Sequence, residues 1–167
     1  MSKQSAGIIL YRLRIGVLEV LLVHPGGPFF ARKDAGYWSA PKGEFEAGED
    51  VLTAAKREFT EEVGSPPPTS EYIDLGSVKN KSGKTIYIYA TEGDFDINAL
   101  RSNSFDLEWP PKSGVTQRFP EVDRAGWFTL DKARIKIAGA QTELLNRLAE
   151  KLHIAPPTLP PEQSSLF

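Results

Sequence analysis

The sequence predicts a mixed α/β or α+β sandwich, in which helices pack against a β-sheet. Three features indicate this fold: two adjacent apolar runs near the N-terminus, an amphipathic helix after them, and a later strand pair followed by a second helix. With 167 residues, of which 40% are hydrophobic and 25% charged, the chain has the size and composition of a single folded domain.

Two strands and a long loop are predicted first. Residues 6–11 and 18–24 are rich in β-branched and aliphatic side chains, and a turn near Gly16 separates them. Residues 25–48 combine glycine and proline with several aromatic side chains. An irregular segment of this length more often has a functional role than serves only as a connection.

A helix is predicted for residues 51–63, where the apolar side chains take on a helical period. Asp50 is a suitable N-cap, and the three prolines at 66–68 prevent the helix from continuing. The apolar stripe of this helix consists of Leu52, Ala55, Phe59 and Val63.

The second half of the chain predicts a hairpin, a long loop, a strand and a helix. The hairpin consists of residues 72–79 and 84–91, with its turn at 81–83. The loop covers residues 92–114, the strand 125–128 and the helix 141–152. Residues 1–155 are therefore expected to form one domain, and the proline-rich residues 156–167 a disordered tail.

Composition excludes several classes of function. Twenty Lys and Arg against 22 Asp and Glu give a net charge of −2, which offers no general attraction to long nucleic acids. The lack of cysteine excludes disulfides, thiolate metal sites and a cysteine nucleophile. No apolar run reaches the roughly 20 residues of a membrane span, and no signal-peptide core is visible, so the sequence predicts a cytoplasmic protein without a membrane partner. The pattern indicates no particular oligomeric state.

Three glutamates on the predicted helix point to metal chemistry. Glu58, Glu61 and Glu62 fall within an arc of roughly 100° beside the apolar stripe. Carboxylates this close repel one another and destabilise a helix in water. Clustered hard oxygen ligands on a rigid support are what Mg²⁺ or Mn²⁺ binds. The alternative is an ordinary solvated acidic face.

The residues around this cluster resemble the signature of the Nudix hydrolases. Gly43 is followed by Glu49 and then by residues 57–64, which read Arg-Glu-Phe-Thr-Glu-Glu-Val-Gly. Ser65 departs from the family pattern, which usually has an aliphatic residue there. The resemblance implies an α/β/α sandwich with a mixed central sheet, dependence on Mg²⁺ or Mn²⁺, and hydrolysis of a nucleoside diphosphate linked to another group.

The resemblance also implies a role for each residue of the signature. Glu62 is expected to be a principal metal ligand and Glu61 a second one, and Glu58 a metal ligand or the base that activates water. The base role stays open between Glu58 and Glu61. Arg57 is expected to orient these carboxylates, and Glu49 to pair with Arg57.

Other positions follow from the same resemblance. Gly43 is expected to form a tight turn with a positive φ that directs the Lys42 carbonyl to the metal, and Gly64 is the second structural turn. Family members often use a further carboxylate from the loop before a late aromatic strand. Glu121 matches that position, and Asp123 is the next candidate.

Residues 38–50 look most like those of diadenosine polyphosphate hydrolases, so a small dinucleoside polyphosphate such as diadenosine tetraphosphate is the expected substrate. Nucleoside triphosphates and diphosphoinositol polyphosphates are alternatives, and a catalytically silent nucleotide-binding domain is an alternative of another class. Candidate phosphate contacts are Lys42, Lys79, Lys81 and Lys84. Candidate stacking surfaces are Trp38, Tyr87, Phe29 and Trp109. The two histidines, His24 and His153, are expected to be structural or exposed.

Overall fold

The computed structural model describes residues 3–154, which form eight strands and three helices. The strands are β1 (Gln4–Arg14), β2 (Val17–Pro25), β3 (Lys42–Glu44), β4 (Ile73–Lys79), β5 (Thr85–Glu92), β6 (Ser104–Glu108), β7 (Thr116–Pro120) and β8 (Val122–Thr129). The helices are α1 (Val51–Val63), α2 (Leu130–Lys136) and α3 (Thr142–Lys151). Among the described residues, no helix is both long enough and apolar enough to cross a membrane.

Strand β1 lies in the middle of a mixed central sheet with the strand order β4-β5-β1-β2-β8. It runs parallel to β5, from the pair Gln4 and Thr85 to the pair Tyr11 and Glu92. It is antiparallel to β2 at its C-terminal end and to β3 at its N-terminal end. The mixed α/β fold with a mixed central sheet is thus confirmed.

Helices cover both faces of this sheet. Because side chains alternate along a strand, Ala6, Ile8 and Leu10 of β1 face one side and Ile9 and Tyr11 face the other. The first side packs against α1, in a core that includes Ala54, Ala55, Phe59 and Val63. The second side packs against α2 and α3, in a core that includes Ala133, Leu144, Leu145 and Leu148. The site described below lies where α1 meets β3 at the edge of the first core.

Helix α1 begins and ends where the sequence predicts. The Asp50 carboxylate caps its first turn by accepting a hydrogen bond from the Thr53 N–H at 3.0 Å. Gly64 ends it in a left-handed conformation with a φ of 97°, which glycine adopts without strain. Three of the four predicted apolar positions are buried, and Leu52 is half-buried.

The two long loops of the prediction contain regular structure that the sequence did not reveal. Strand β3 lies within residues 25–48; it has three residues, Lys-Gly-Glu, and is held by backbone pairing to β1 rather than by an apolar pattern. Residues 92–114 contain β6, which pairs with β7 in a separate two-stranded sheet, here called the β6–β7 ribbon. Helix α2 was also missed, because seven residues are too few to show a period.

The remaining elements were placed correctly, with shifted ends. The predicted hairpin corresponds to β4 and β5, the late strand to β8 and the last helix to α3. Strand β8 is longer than predicted and starts at Val122, directly after the β6–β7 ribbon. The predicted tail at 156–167 lies outside the described residues.

Candidate active site

The last two turns of α1 carry the carboxylates, and β3 packs against them. The Lys42 N–H donates a hydrogen bond to Glu62 Oε1 at 3.2 Å. Glu62 has lost most of its hydration, and this burial raises its pKa to about 8, against the smaller opposing effects of the Lys42 amide and ammonium. A carboxylate this poorly hydrated is a strong candidate for a cation ligand.

Arg57 lies among three carboxylates, with hydrogen bonds to two of them and a longer ion pair to the third. Its Nη1 donates to Glu49, its Nη2 donates to Glu58 Oε1 at 3.0 Å, and its Nε lies 3.9 Å from Glu61 Oε1. Burial raises the pKa of Glu58, and the hydrogen bond from Arg57 opposes that rise. The predicted pairing of Glu49 with Arg57 is present, and so is the predicted contact of Arg57 with the other two glutamates.

Gly43 is required at its position for a different reason from the predicted one. It lies within β3 and is not one of the glycines with a positive φ, so the predicted turn at this residue is wrong. A Cβ atom on Gly43 would lie 2.0 Å from Oε2 of Glu58 and 2.3 Å from its Cδ. Glycine is therefore needed because the Glu58 carboxylate fills the space of a side chain.

Lys42 presents its backbone to α1 and its side chain to the opposite face of the sheet. In the pairing of β3 with β1 it faces Gly7, and the neighbouring hydrogen bonds are made by Pro41 and Phe45. The Lys42 N–H therefore points away from β1 toward Glu62, and its carbonyl lies on the same edge of the strand. Burial lowers the pKa of its ammonium group. The Lys42 Cβ lies 2.6 Å from the place that a Cβ on Gly7 would occupy, so the missing side chain of Gly7 makes room for Lys42.

A buried glutamine supports the segment that leads into β3, and this role was not predicted from the sequence. Gln141 is 2% exposed. Its Oε1 accepts a hydrogen bond from the Ala40 N–H at 3.1 Å, and its Nε2 donates to Ser39 Oγ at 3.0 Å. A glutamine at the start of an amphipathic helix fits a solvated position equally well, so only the tertiary contact identifies this role.

Glu121 enters the site from the base of the β6–β7 ribbon. The Gly26 N–H donates to the Glu121 carbonyl at 2.9 Å, and the Glu121 N–H donates to the Asn103 carbonyl at 2.8 Å. The negative charge of Glu121 contributes to the raised pKa values of Glu58 and Glu62, so the three carboxylates are near neighbours. Glu121 and Glu62 line the same cleft, and the role of Glu121 as a further metal ligand stays a prediction.

A cleft of about 280 Å³ runs from these carboxylates to the far face of the sheet. Its polar lining residues are Lys42, Glu62, Glu121, Asn80, Gln141, Ser39 and Tyr37. The lining thus combines two carboxylates with one ammonium group and the amides of Asn80 and Gln141. Such a mixture of charges suits a ligand that carries both a cation-binding part and further acceptor oxygens.

The donor atoms fit Mg²⁺ or Mn²⁺ in type, although they do not form a preassembled cluster. Among residues 3–154, no three His, Cys, Asp or Glu side chains are arranged as closely as a ready-made metal centre requires. The reason is visible in the contacts: Arg57 holds Glu58 and lies near Glu61, and the Lys42 amide holds Glu62. Hard carboxylate oxygens in a poorly hydrated site remain suitable ligands for such an ion.

Trp38 and Asp123 are not placed for the roles suggested by the sequence. Trp38 is 6% exposed and packs in the core against His24 and Phe128, so the prediction of a stacking surface there is wrong. The Asp123 carboxylate bonds to Nδ1 of the buried His24 at 2.8 Å, and Nε2 of that histidine bonds to the Lys33 carbonyl. His24 is structural and His153 is exposed, as predicted.

The other candidate substrate contacts lie at varied distances from the cleft. Lys84 is half-buried and pairs with Glu44 at 3.0 Å, and its charge lowers the pKa of Lys42. Lys79 and Lys81 are exposed near the turn between β4 and β5, and Tyr87 packs edge-on against Phe45. The rings of Phe29 and Trp109 contact each other edge to face at 5.2 Å, and Phe29 is 60% exposed.

Comparison with known sequences identifies one family. The NUDIX domain matches residues 1–148. Nudix hydrolase 7 of Arabidopsis thaliana is 29% identical over 98 residues, which are 56% of this chain and 34% of that protein. The asymmetrical bis(5'-nucleosyl)-tetraphosphatase of Caenorhabditis elegans is 37% identical over 63 residues, which are 38% of this chain and 41% of that protein. The chain thus spans less than half the length of these curated relatives.

Solved structures share the fold at lower identity. A binary complex of the C. elegans Ap4A hydrolase matches with a TM-score of 0.62 and 22% identity, covering 90% of this chain and 98% of that one. The NUDIX domain of Shewanella oneidensis NrtR, crystallised with ADP ribose, matches with a TM-score of 0.61 and 18% identity, covering 91% of this chain and 89% of that one. At such identities the likeness shows the fold alone.

Proposed function

The chain belongs to the Nudix domain family, and from this premise we propose that it is a pyrophosphohydrolase that needs a divalent metal ion. The observation that carries the proposal is the end of α1, where Glu62 bonds to the backbone of Lys42 and both Glu58 and Glu62 feel the charge of Glu121. Glu61 lies on the same part of the helix, 3.9 Å from Arg57 Nε. A protein without this chemistry has no evident reason to hold the two poorly hydrated carboxylates of Glu58 and Glu62 together.

The metal is Mg²⁺ or Mn²⁺, and its ligands come from the carboxylates and one carbonyl. The residues that would hold it are Glu58, Glu61, Glu62, Glu121 and the carbonyl of Lys42. When bound, such an ion lowers the pKa of a coordinated water and neutralises charge on phosphate oxygens. The donor type, the outward edge of Lys42 and the raised pKa of Glu62 support this assignment.

The side chains then have distinct tasks. Arg57 holds Glu58 and, together with Glu49, fixes the orientation of the carboxylates at the junction of the loop with α1. Either Glu58 or Glu61 takes the proton of the attacking water. Glu58 is the more buried of the two and its pKa is raised, which suits a group that must accept a proton near neutral pH.

The proposed substrate is a dinucleoside polyphosphate such as diadenosine tetraphosphate. Its support is the sequence similarity to the C. elegans bis(5'-nucleosyl)-tetraphosphatase and the presence of Lys42 in the cleft that contains Glu62 and Glu121. Nucleoside triphosphates and diphosphoinositol polyphosphates present the same kind of phosphoanhydride and are the alternatives. A catalytically silent domain is disfavoured, since Glu49, Glu58, Glu61 and Glu62 are all retained.

The experiment is a substrate panel of dinucleoside polyphosphates, nucleoside triphosphates and diphosphoinositols, each with Mg²⁺, and with products separated by chromatography. Conversion of diadenosine tetraphosphate to AMP and ATP, lost in Glu62→Gln, is the expected result. If phosphate is released from the diphosphoinositols alone, the proposed substrate changes to a diphosphoinositol polyphosphate. No turnover of any compound with Mg²⁺ or Mn²⁺ would remove the proposed activity.

A further inference from the structure

Asn80 lies in the turn between β4 and β5, and its side-chain amide has a fixed orientation. Its Oδ1 accepts hydrogen bonds from the Ser82 N–H at 3.1 Å, the Lys84 N–H at 2.9 Å and the Ser82 hydroxyl at 2.8 Å. Backbone N–H groups only donate, so the atom that they contact must be the amide oxygen. The Nδ2 group therefore occupies the other branch of the amide, away from these donors.

The Nδ2 group of Asn80 is left without a protein partner. The backbone N–H of Asn80 donates to the Lys84 carbonyl, and the backbone carbonyl of Asn80 accepts from the Gly83 N–H. Within residues 3–154, no acceptor forms a hydrogen bond to Nδ2, although the side chain is half-buried and lines the cleft that contains Lys42. Two N–H donors of one amide are thus available to a ligand in this cleft.

The surroundings of Asn80 favour an acceptor that carries negative charge. The Lys42 side chain lines the same cleft, and Lys84 is close enough for its charge to lower the pKa of Lys42. Ile86 supplies an apolar wall, which strengthens electrostatic contacts by excluding water.

We propose that Asn80 binds a phosphoryl oxygen of the substrate in the cleft that it lines together with Lys42, Glu62 and Glu121. The inference rests on the proposed function for the identity of the ligand as a polyphosphate. A chain of phosphates spans the cleft, with the reacting phosphorus near Glu58 and Glu62 and a further phosphoryl group at Asn80. Asn80 then contributes to the binding of longer polyphosphates and takes no part in proton transfer.

A purely structural role for Asn80 is the competing explanation, and one substitution separates the two. Aspartate closes the same turn, because one of its oxygens accepts the bonds of Ser82 and Lys84 in the same way. Its second oxygen replaces the two Nδ2 donors with a negatively charged acceptor. Asn80→Asp therefore retains the turn and reverses the chemistry that the cleft presents to phosphate.

The test measures binding of inorganic tripolyphosphate by calorimetry, with and without Mg²⁺, to the whole chain. Asn80→Asp is expected to weaken binding by about tenfold or more, because a charge-assisted hydrogen bond is replaced by repulsion. Ser82→Ala is the matched control: it removes one of the three bonds to Oδ1, leaves Nδ2 in place and is expected to bind within about twofold of the wild type. Melting temperatures show whether the turn is intact, and Asn80→Ser replaces the aspartate variant if that variant unfolds.

Equal affinity of the wild type and a folded Asn80→Asp for tripolyphosphate would overturn the inference, and so would a wild-type protein that does not bind tripolyphosphate at all. In the panel assay, the expected signature is a raised KM for the longer polyphosphates with a nearly unchanged kcat. If the wild type binds tripolyphosphate through Asn80 but hydrolyses none of the panel compounds, the proposed activity fails and the binding site stands.

Discussion

The Glu58 carboxylate occupies the space beside β3 that a side chain at Gly43 would need. This contact brings β3 against α1 and allows the Lys42 N–H to reach Glu62 four residues further along the helix. The two residues are 15 positions apart in the sequence but act as one packing unit, so the glycine is a direct determinant of where the carboxylates lie.

Gly43→Ala should therefore damage catalysis more than its small volume suggests. The added methyl group displaces the Glu58 carboxylate or moves β3 away from α1, and a displacement of about 1 Å at a reacting group lowers kcat by roughly 100-fold. Steady-state kinetics measure the effect. Gly139→Ala is the control, because a Cβ there meets nothing within 4 Å. Wild-type kcat in a folded Gly43→Ala variant would contradict the packing described here.

Glu62→Gln tests the carboxylate that has lost most of its hydration. We expect kcat to fall by roughly three orders of magnitude, since a neutral amide replaces a metal ligand. The melting temperature of the metal-free protein at pH 8 should stay the same or rise, because the cost of desolvating a carboxylate is removed. Glu46→Gln, an exposed glutamate nearby, is the matched control and should retain full activity. Near-normal turnover by Glu62→Gln would exclude Glu62 from metal binding.

The raised pKa of Glu62, about 8, predicts how stability depends on pH in the absence of metal. The folded state binds the proton more tightly than the unfolded state, whose glutamate has a pKa near 4.5. The stability from this group is thus fully present below about pH 4.5 and is lost as the pH rises through 8. Melting temperatures in EDTA from pH 5 to 8 should show this decline, and Glu62→Gln should flatten it.

Metal binding should reverse that dependence. A metal ion competes with the proton for Glu62, so the rise in melting temperature on adding Mn²⁺ should grow as the pH increases from 6 to 8. The same titration with Glu62→Gln should show a smaller and less pH-dependent rise. A stabilisation by Mn²⁺ that is equal at pH 6 and pH 8 in the wild type would count against Glu62 as a ligand.

Gln141→Leu tests whether Gln141, directly before α3, holds the segment that leads into β3 in place. Leucine fills the volume but leaves the Ala40 N–H without its acceptor, which should lower the free energy of unfolding by about 1–3 kcal/mol. Denaturant unfolding measures this loss, and Lys151→Ala on the exposed side of α3 is the control. If Gln141 also fixes the position of Lys42, the affinity for tripolyphosphate should fall as well, and a stability loss without that fall would limit Gln141 to folding.

The parts of the fold that were predicted are those in which burial imposes a period. Helix α1 shows a stripe, a cap at Asp50 and a stop at Gly64, and β1 and β2 are continuous apolar runs. The parts that were missed, β3 and the β6–β7 ribbon, are short or exposed and are held by backbone pairing, which leaves little trace in the side chains. Strand β6 did alternate, with Phe105 and Leu107 on one face, and a search for short alternating runs would have found it.

The residues of the site also fall into those that were predicted from the sequence and those that were missed. The glutamates of α1 and Arg57 were predicted because fixed spacings on one helix determine their contacts. Gln141 was not predicted, because it bonds to the backbone of a segment 101 residues away in the sequence. Asn80 was not predicted, because the orientation of its amide is determined by the geometry of its own turn. Trp38 was assigned wrongly because an aromatic residue in a glycine-rich segment serves equally well as a core residue or as a surface for a base.

The β6–β7 ribbon is tied to the domain at its base through Glu121, whereas residues 110–115 at its far end are exposed. A probe attached at that tip reports on the ribbon without disturbing the residues that anchor it. Since the chain contains no cysteine, Ser113→Cys creates a single attachment point for a fluorophore. The protein can thus be labelled at a single site without first replacing any native cysteine.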